Sequence, residues 1–205
     1  MGLYSKYVLP QLVHYACGQK PAMKQRDKII PLAKGKVLEI GVGSGLNIPY
    51  YDAKRVEHLW ALDPSSEMWA IAQKNASEKH LDAEFIQAGA ESVPLENNSA
   101  DTVVITYTLC TIPDAMQGLA EVKRVLKPGG RLIFCEHGEA PDEDVRRWQK
   151  RMGPAWNFFG GGCHLDRPIP RLLEDSGFRS EDMQTMYIPG WTPACFNYWG
   201  TAKAR

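Results

Sequence analysis

An excess of charge of either sign is missing: 24 Lys and Arg balance 24 Asp and Glu, for a formal net charge of zero. No basic surplus is available to neutralise phosphates, so the composition argues against a nucleic-acid partner. Metal- and disulfide-type cysteine spacing is missing too. The five cysteines, Cys17, Cys110, Cys135, Cys163 and Cys195, are odd in number and widely spaced, with no CxxC pair. That pattern indicates neither a zinc site nor a disulfide framework, so no metal is expected and reduced thiols in a cytoplasmic setting are the simplest reading. No stretch approaches the roughly 18 apolar residues of a membrane-spanning helix. The first residues lack the charged start and apolar run of a secretory signal. Internal repeats, low-complexity tracts and linkers are also absent.

What is present is an ordinary globular composition, 44% hydrophobic and 23% charged over 205 residues. This length suits one compact α/β domain with a core large enough to need no staple. Short apolar strands are predicted at 37–41, 58–63, 83–89, 101–109 and 131–137. Helices are predicted at 3–17, 20–34, 65–79, 114–127, 142–152 and 168–177, with a helix or turn at 46–54. Ser65 or Ser66 is the expected cap of the 65–79 helix. The segment 153–167, rich in glycine and aromatics, reads as a functional loop. Two closing strands are expected near 181–188 and 195–203, joined by a connection too short for a helix. Alternating β and α implies a mostly parallel seven-stranded sheet with helices on both faces and an antiparallel last strand. Three parts follow within one domain over 1–205: an N-terminal helical segment (1–34), a ligand-binding core (36–137), and substrate-side loops and closing strands (138–205). For the N-terminal helix, packing, a lid over the site and a weak peripheral membrane contact all stay open.

The chemistry is carried by Glu39-Ile40-Gly41-Val42-Gly43-Ser44-Gly45, directly after an apolar strand. Glycine there permits positive φ and close approach of backbone to ligand, and the end of the first strand of such a sheet is the expected ligand site. Leu46 stands where a GxGxxG dinucleotide fingerprint needs its last glycine. Asp63 ends the second strand, where a carboxylate can accept both ribose hydroxyls of a nucleoside. The turn has no P-loop lysine for a pyrophosphate, but it has Glu39, suited to the ammonium of an amino-acid moiety. Together these features favour S-adenosyl-L-methionine over a nicotinamide dinucleotide.

The runs VLEIGVGSG, ALDPS, AGAESVPLENNSADTVV and EVKRVLKPGGRLIF resemble the Rossmann-like class I methyltransferases over residues 36–137. The resemblance implies that Gly41, Gly43 and Gly45 line the methionyl part of the cofactor, that Asp63 holds the ribose, and that Pro64 and Ser65 lie beside ribose and adenine. It implies that Ala90 and Glu91 sit near the adenine, and that Tyr107, Thr108 and Leu109 face the methyl donor. Further on, Leu109-Cys110-Thr111, Glu136-His137, and Trp156 with Gly160-Gly161-Gly162-Cys163 resemble the microsomal thiol methyltransferases of animals and their bacterial relatives. That family methylates small alkyl thiols or hydrogen sulfide. The present sequence lacks the apolar N-terminal anchor of the animal members, so their membrane location does not carry over.

The expected activity is therefore methyl transfer to a small apolar acceptor, a thiol first. An oxygen, nitrogen or carbon acceptor on a quinone precursor, phospholipid or secondary metabolite is the alternative. A cofactor-binding protein without turnover and a nicotinamide oxidoreductase are the others. His137, at the end of the fifth strand, is the leading candidate for a base, because its ordinary pKa suits proton transfer near neutrality; His164 is the second. Cys110 reads as packing beside the site, and Cys163 as either contacting substrate sulfur or shaping the glycine loop. Trp156, Phe159 and Trp191 fall in loop-like sequence and are proposed to wall an apolar acceptor pocket.

Overall fold

In the computed structural model, which describes residues 8–205, eight strands form a single sheet. They are β1 (Gly35–Ile40), β2 (Val56–Asp63), β3 (Ala83–Gln87), β4 (Ala100–Thr106), β5 (Leu126–His137), β6 (Phe178–Ser180), β7 (Gln184–Tyr187) and β8 (Phe196–Ala204). The order across the sheet is β3-β2-β1-β4-β5-β8-β6, with β7 also on β8. The pairs β1–β2, β2–β3, β1–β4 and β4–β5 are parallel, and those to β8 are antiparallel. The chain leaves β1 toward one edge and returns to β4 on the other side. The ends of β1 and β4 therefore bound a crevice, the place where open α/β sheets bind ligands.

Helices α1 (Leu9–Cys17), α2 (Lys20–Ile29), α3 (Trp69–Glu78), α4 (Ala115–Val125), α5 (Glu143–Phe159) and α6 (Ile169–Asp175) complete the fold. The central strands are apolar on both faces. Leu38, Val103, Ile105, Leu132 and Phe134 pack with α4 and α6 on one side. Val37, Val104, Ile133 and Cys135 pack with Ile29, Ala72 and Ala76 on the other. Near-continuous apolar runs are what a sheet buried on both faces requires. Among the described residues, no helix is long and apolar enough to cross a membrane.

Several boundaries differ from the sequence reading, each for a local reason. The expected strand near 181–188 is split. Asp182 Oδ1 takes the backbone N–H of Thr201 (2.7 Å), and the pairing shifts by one residue between β6 and β7. An edge strand interrupted by this bulge makes eight strands of the expected seven. The helix expected at 20–34 stops at Ile29 and continues only as a 3-10 turn over Ile30–Leu32, because Pro31 has no N–H to give. At 46–54 only a 3-10 turn, Ile48–Tyr50, forms. Neither Ser65 nor Ser66 caps α3, which begins at Trp69. Asp63 holds the Ser65 N–H (2.9 Å), and the Ser65 hydroxyl donates to Glu67, so this segment is drawn toward the ligand crevice instead. The most consequential difference is α5, which runs through Pro154 to Phe159 where a loop is expected from 153. The proline removes a bond to the Lys150 carbonyl, on a helix whose one buried residue is Gln149, so water can satisfy the freed oxygen. The part of the first helical expectation that covers residues 3–7 lies outside the described residues.

Gln149 shows how the C-terminal loops are held. It is fully buried, its Nε2 lies 2.9–3.0 Å from the carbonyls of Gly138, Leu165 and Pro193, and its Oε1 accepts from Ala140 N. One side chain thus clamps the segments after β5, after α5 and before β8. Replacing Gln149 with Ala strands three carbonyls and an amide in the interior and should lower stability by about 3 kcal/mol. Urea unfolding measures this, and a loss below about 1 kcal/mol would show that the clamp is not structural.

Candidate active site

The crevice between β1 and β4 opens into a cavity of about 500 Å3. Its floor is the glycine turn. Gly41 N and Val42 N donate to Leu62 O, which bends the chain sharply after β1. Gly41 has φ +75°, and a Cβ there would collide with the Thr108 side chain. Only glycine lets the turn lie against the end of β4. Gly43 has φ +49° and open space around it, and its N–H points to Asp63 Oδ2 (2.9 Å). Asp63 Oδ1 accepts from Ser65 N at the same distance. Burial raises the Asp63 pKa above the usual carboxylate value, and the two amide bonds act against that rise.

Deeper in, a polar network backs the cavity. Glu39 is buried and receives Asn47 Nδ2 (3.0 Å) and the Tyr51 hydroxyl (2.7 Å). Arg26, from α2, donates Nη1 to Asn47 Oδ1 (3.0 Å) and Thr106 Oγ1 (2.6 Å), with its guanidinium 4.8 Å from the Tyr107 ring centroid. Its Nε is buried with no hydrogen-bond partner among the described residues. Arg26 was missed in the sequence, because it sits in a helix reading KPAMKQRDKI whose other charges look like a solvated face. Lys20, Lys24, Asp27 and Lys28 of α2 do face water, and Arg26 alone of its charged residues turns to the crevice.

Glu39, Gly41, Gly43, Asp63, Pro64, Ser65, Ala90, Glu91, Tyr107 and Thr108 all line the cavity, as expected for a common site. Gly45 and Leu109 do not line it. Gly45 packs its backbone against Ile48 and Ala72, and Leu109 is core. Residues of α1, Leu9, Pro10, Val13, His14 and Cys17, line it from above. His14 Nδ1 meets Ser44 Oγ at 2.5 Å, tying that helix to the glycine turn.

The cysteines and His137 form a separate buried group beside this cavity. Tyr107 takes φ +51°, held by its hydroxyl bond to Asn197 Oδ1 (2.6 Å). The following turn hangs on Glu136, whose Oε1 accepts from Thr108 N (2.9 Å) and Leu109 N (3.0 Å). That turn presents Cys110 to Cys163, and Cys163 Sγ lies 3.2 Å from His137 Nε2. The Trp156 side chain also hydrogen-bonds Cys163. Donation from Cys110 leads the causes that hold Cys163 well below the ordinary thiol range, burial opposing and His137 and Trp156 adding to it. Burial opposes charge on His137, but the bond to Cys163 and the charge on its sulfur outweigh it, and the His137 pKa is raised.

None of Cys110, His137 and Cys163 lines the cavity, although Thr111, Gly160 and Gly161 do. His164 is exposed and pairs with Asn157 Nδ2 (3.2 Å), outside both groups. Trp156 and Trp191 stack on each other with centroids 5.1 Å apart, and Phe159 is exposed on the last turn of α5. None of the three lines the cavity, to which α1 contributes Leu9, Pro10 and Val13.

A mostly parallel sheet with this switch point, a glycine turn after β1 and an aspartate at the end of β2 define an α/β fold of the methyltransferase kind. A methyltransferase domain family matches residues 38–134. A human thiol S-methyltransferase, TMT1B, is 36% identical over 168 residues, covering 78% of this chain and 68% of that one. A phosphatidylethanolamine N-methyltransferase of Cereibacter sphaeroides is 30% identical over 158 residues, covering 76% and 75%. A solved S-adenosylmethionine-dependent methyltransferase of Thermotoga maritima shares the fold at a TM-score of 0.66, with 20% identity and 98% of each chain covered. The chain belongs to the class I S-adenosylmethionine-dependent methyltransferases. It spans about two thirds of the length of the curated thiol S-methyltransferases that it matches.

Burial pushes the Glu39 carboxyl from 4.5 up to about 7, against the lowering effect of Tyr51, Asn47 and Arg26. A folded-state value above the unfolded one means that the native protein keeps this proton longer. Stability is therefore highest below the unfolded pKa and falls as pH rises toward 7, by about 3 kcal/mol for this group. Glu39→Gln abolishes that dependence. In urea unfolding without cofactor, the variant should gain about 3 kcal/mol on the wild type between about pH 5 and about pH 8. A gap that stays constant with pH would contradict the burial of an ionisable Glu39.

Proposed function

We propose that this chain transfers a methyl group from S-adenosylmethionine to the sulfur of a small, apolar thiol. The observation that carries the reading is the two-ended lining of one cavity. Asp63, Glu39 and Arg26 gather at the glycine turn, while Leu9, Pro10 and Val13 of α1 give the opposite wall an apolar surface. The first end fits the cofactor. Asp63 has lone pairs left beyond its two amide bonds for ribose hydroxyls, and Glu39 can take the ammonium. The unpartnered Nε–H of Arg26 is a buried donor suited to the carboxylate. The open space at Gly43 and the positive φ of Gly41 let the backbone approach the methionyl chain. Glu91 offers a carboxylate to the adenine amine, and Tyr107 and Thr108 stand at the end of β4 beside the reacting centre.

When bound, the cofactor supplies a methyl group already made electrophilic by its sulfonium. The chain's own work is alignment and the exclusion of water. A thiol suits such a site, because its thiolate is the reactive form and asks little of a base. On this reading His137 does not touch the acceptor, and His164 takes no part. The motifs shared with thiol methyltransferases support sulfur as the acceptor atom, and the apolar wall disfavours sugars and highly charged substrates.

Labelled cofactor offered with a panel of alkyl thiols, phenols, amines and a quinol should yield a methylated product from the thiols alone. Product from a phenol, amine or quinol with none from thiols would overturn the acceptor assignment, and cofactor binding without any product would overturn turnover itself. Asp63→Asn and Arg26→Met should each weaken cofactor binding by about 10- to 100-fold in calorimetry, the loss of one charge-assisted contact. Unchanged affinity in both variants would displace the cofactor from this cavity.

A further inference from the structure

Methyl transfer as just described leaves one buried set of reactive side chains without a task. Cys110 comes from the turn after β4, His137 from the end of β5, and Cys163 from the loop after α5. All three are buried, and their ligating atoms lie within 4.8 Å of one another. We propose that Cys110, His137 and Cys163 bind a thiophilic divalent cation of the zinc class.

Two sulfurs and an imidazole nitrogen are the soft and borderline donors that select zinc over calcium or magnesium. Around one tetrahedral zinc such donors stand about 3.5–3.8 Å apart. The 3.2 Å between His137 Nε2 and Cys163 Sγ is close to that, so small side-chain adjustments suffice. Charge also balances: two thiolates and a neutral imidazole around a dication sum to zero, which removes the penalty of an uncompensated buried charge. The ligand-bearing segments are held by bonds that do not involve the ligating atoms. Glu136 Oε1 fixes the Thr108–Leu109 amides, and His164 N donates to Cys110 O (2.9 Å), tying the Cys163 loop to the Cys110 turn. Such support is what a metal site needs around its ligands. Glu136 Oε2 and His137 Nδ1 are buried with no hydrogen-bond partner among the described residues. A hydrated cation at the cluster would give the carboxylate oxygen a donor. Cysteine spacing argued against zinc because the ligands are far apart in the chain; folding brings them together.

Three protein donors leave a tetrahedral position free. Thr111 and Gly161, which neighbour Cys110 and Cys163 in the chain, line the cavity, and Gly161 packs against Leu9, so the cluster adjoins the α1 side of the cavity. Resting on the thiol reading above, the acceptor sulfur takes that fourth position, replacing water and losing its proton to solvent as the metal–sulfur bond forms.

Metal analysis of the full chain, purified under reducing conditions, should find about one zinc per chain. Exchange for cobalt(II) should give a sulfur-to-cobalt charge-transfer band in the wild type, lost in Cys110→Ser and Cys163→Ser and shifted in His137→Asn. Circular dichroism and cofactor binding confirm that the variants fold. No zinc and no cobalt band in reduced wild-type protein would overturn the proposal, as would a Cys110–Cys163 disulfide that persists in reductant, or a band unchanged in either serine variant. Adding an alkyl thiol should perturb the cobalt spectrum. A spectrum indifferent to thiol would overturn the fourth-position assignment alone, and product formation from thiols is measured separately.

Discussion

The carboxylate of Asp63 is the hinge of the molecule. Its two oxygens take the amides of Gly43 and Ser65, and so join the turn after β1 to the loop after β2. That joint adds to the backbone bonds from Gly41 and Val42 to Leu62 O, which tie the same turn to the end of β2. The cost is a partly desolvated acid, visible in its raised pKa. Placing a carboxylate where amides meet it on one side and a cavity on the other builds a polar grip into an otherwise apolar sheet end.

The same economy recurs across the interior. Glu39 and Glu136 stand near the ends of β1 and β5, on either side of β4, both buried and both with pKa values raised to about 7. Each spends hydrogen bonds on holding a turn or a neighbouring side chain. Arg26 is the cation that partly offsets Glu39. Charges that would be expensive in isolation are tolerated because each is bonded to groups that define the site's shape.

Much of this was legible in the sequence. The strand–glycine turn–strand–aspartate pattern depends on local rules, and the residues it marks, Gly41, Gly43, Asp63, Ala90, Glu91, Tyr107 and Thr108, meet around one cavity. What sequence alone could not convey depends on tertiary contacts. Trp156 and Phe159 look loop-bound because glycine and aromatics surround them, yet α5 tolerates Pro154 on its wet face and carries both. Arg26 looks like one cation among several, and Gln149 like an ordinary helix-surface amide, until packing inverts their surroundings. The Cys110–His137–Cys163 cluster has no spacing signature, because three separate chain reversals create it.

Helix α1 roofs the cavity yet buries none of its residues in the core. Among the described residues it is attached by the His14–Ser44 bond, a long Gln11 contact to the Met68 sulfur, and the packing of Leu9 on Gly161. The sheet below is covered on both faces and opens only with the whole domain. Segments with few buried contacts open locally at a lower free-energy cost than the whole fold, so α1 is the part of the cavity wall that such opening would release first. An opening confined to α1 would uncover the cavity while leaving the paired strands beneath it intact.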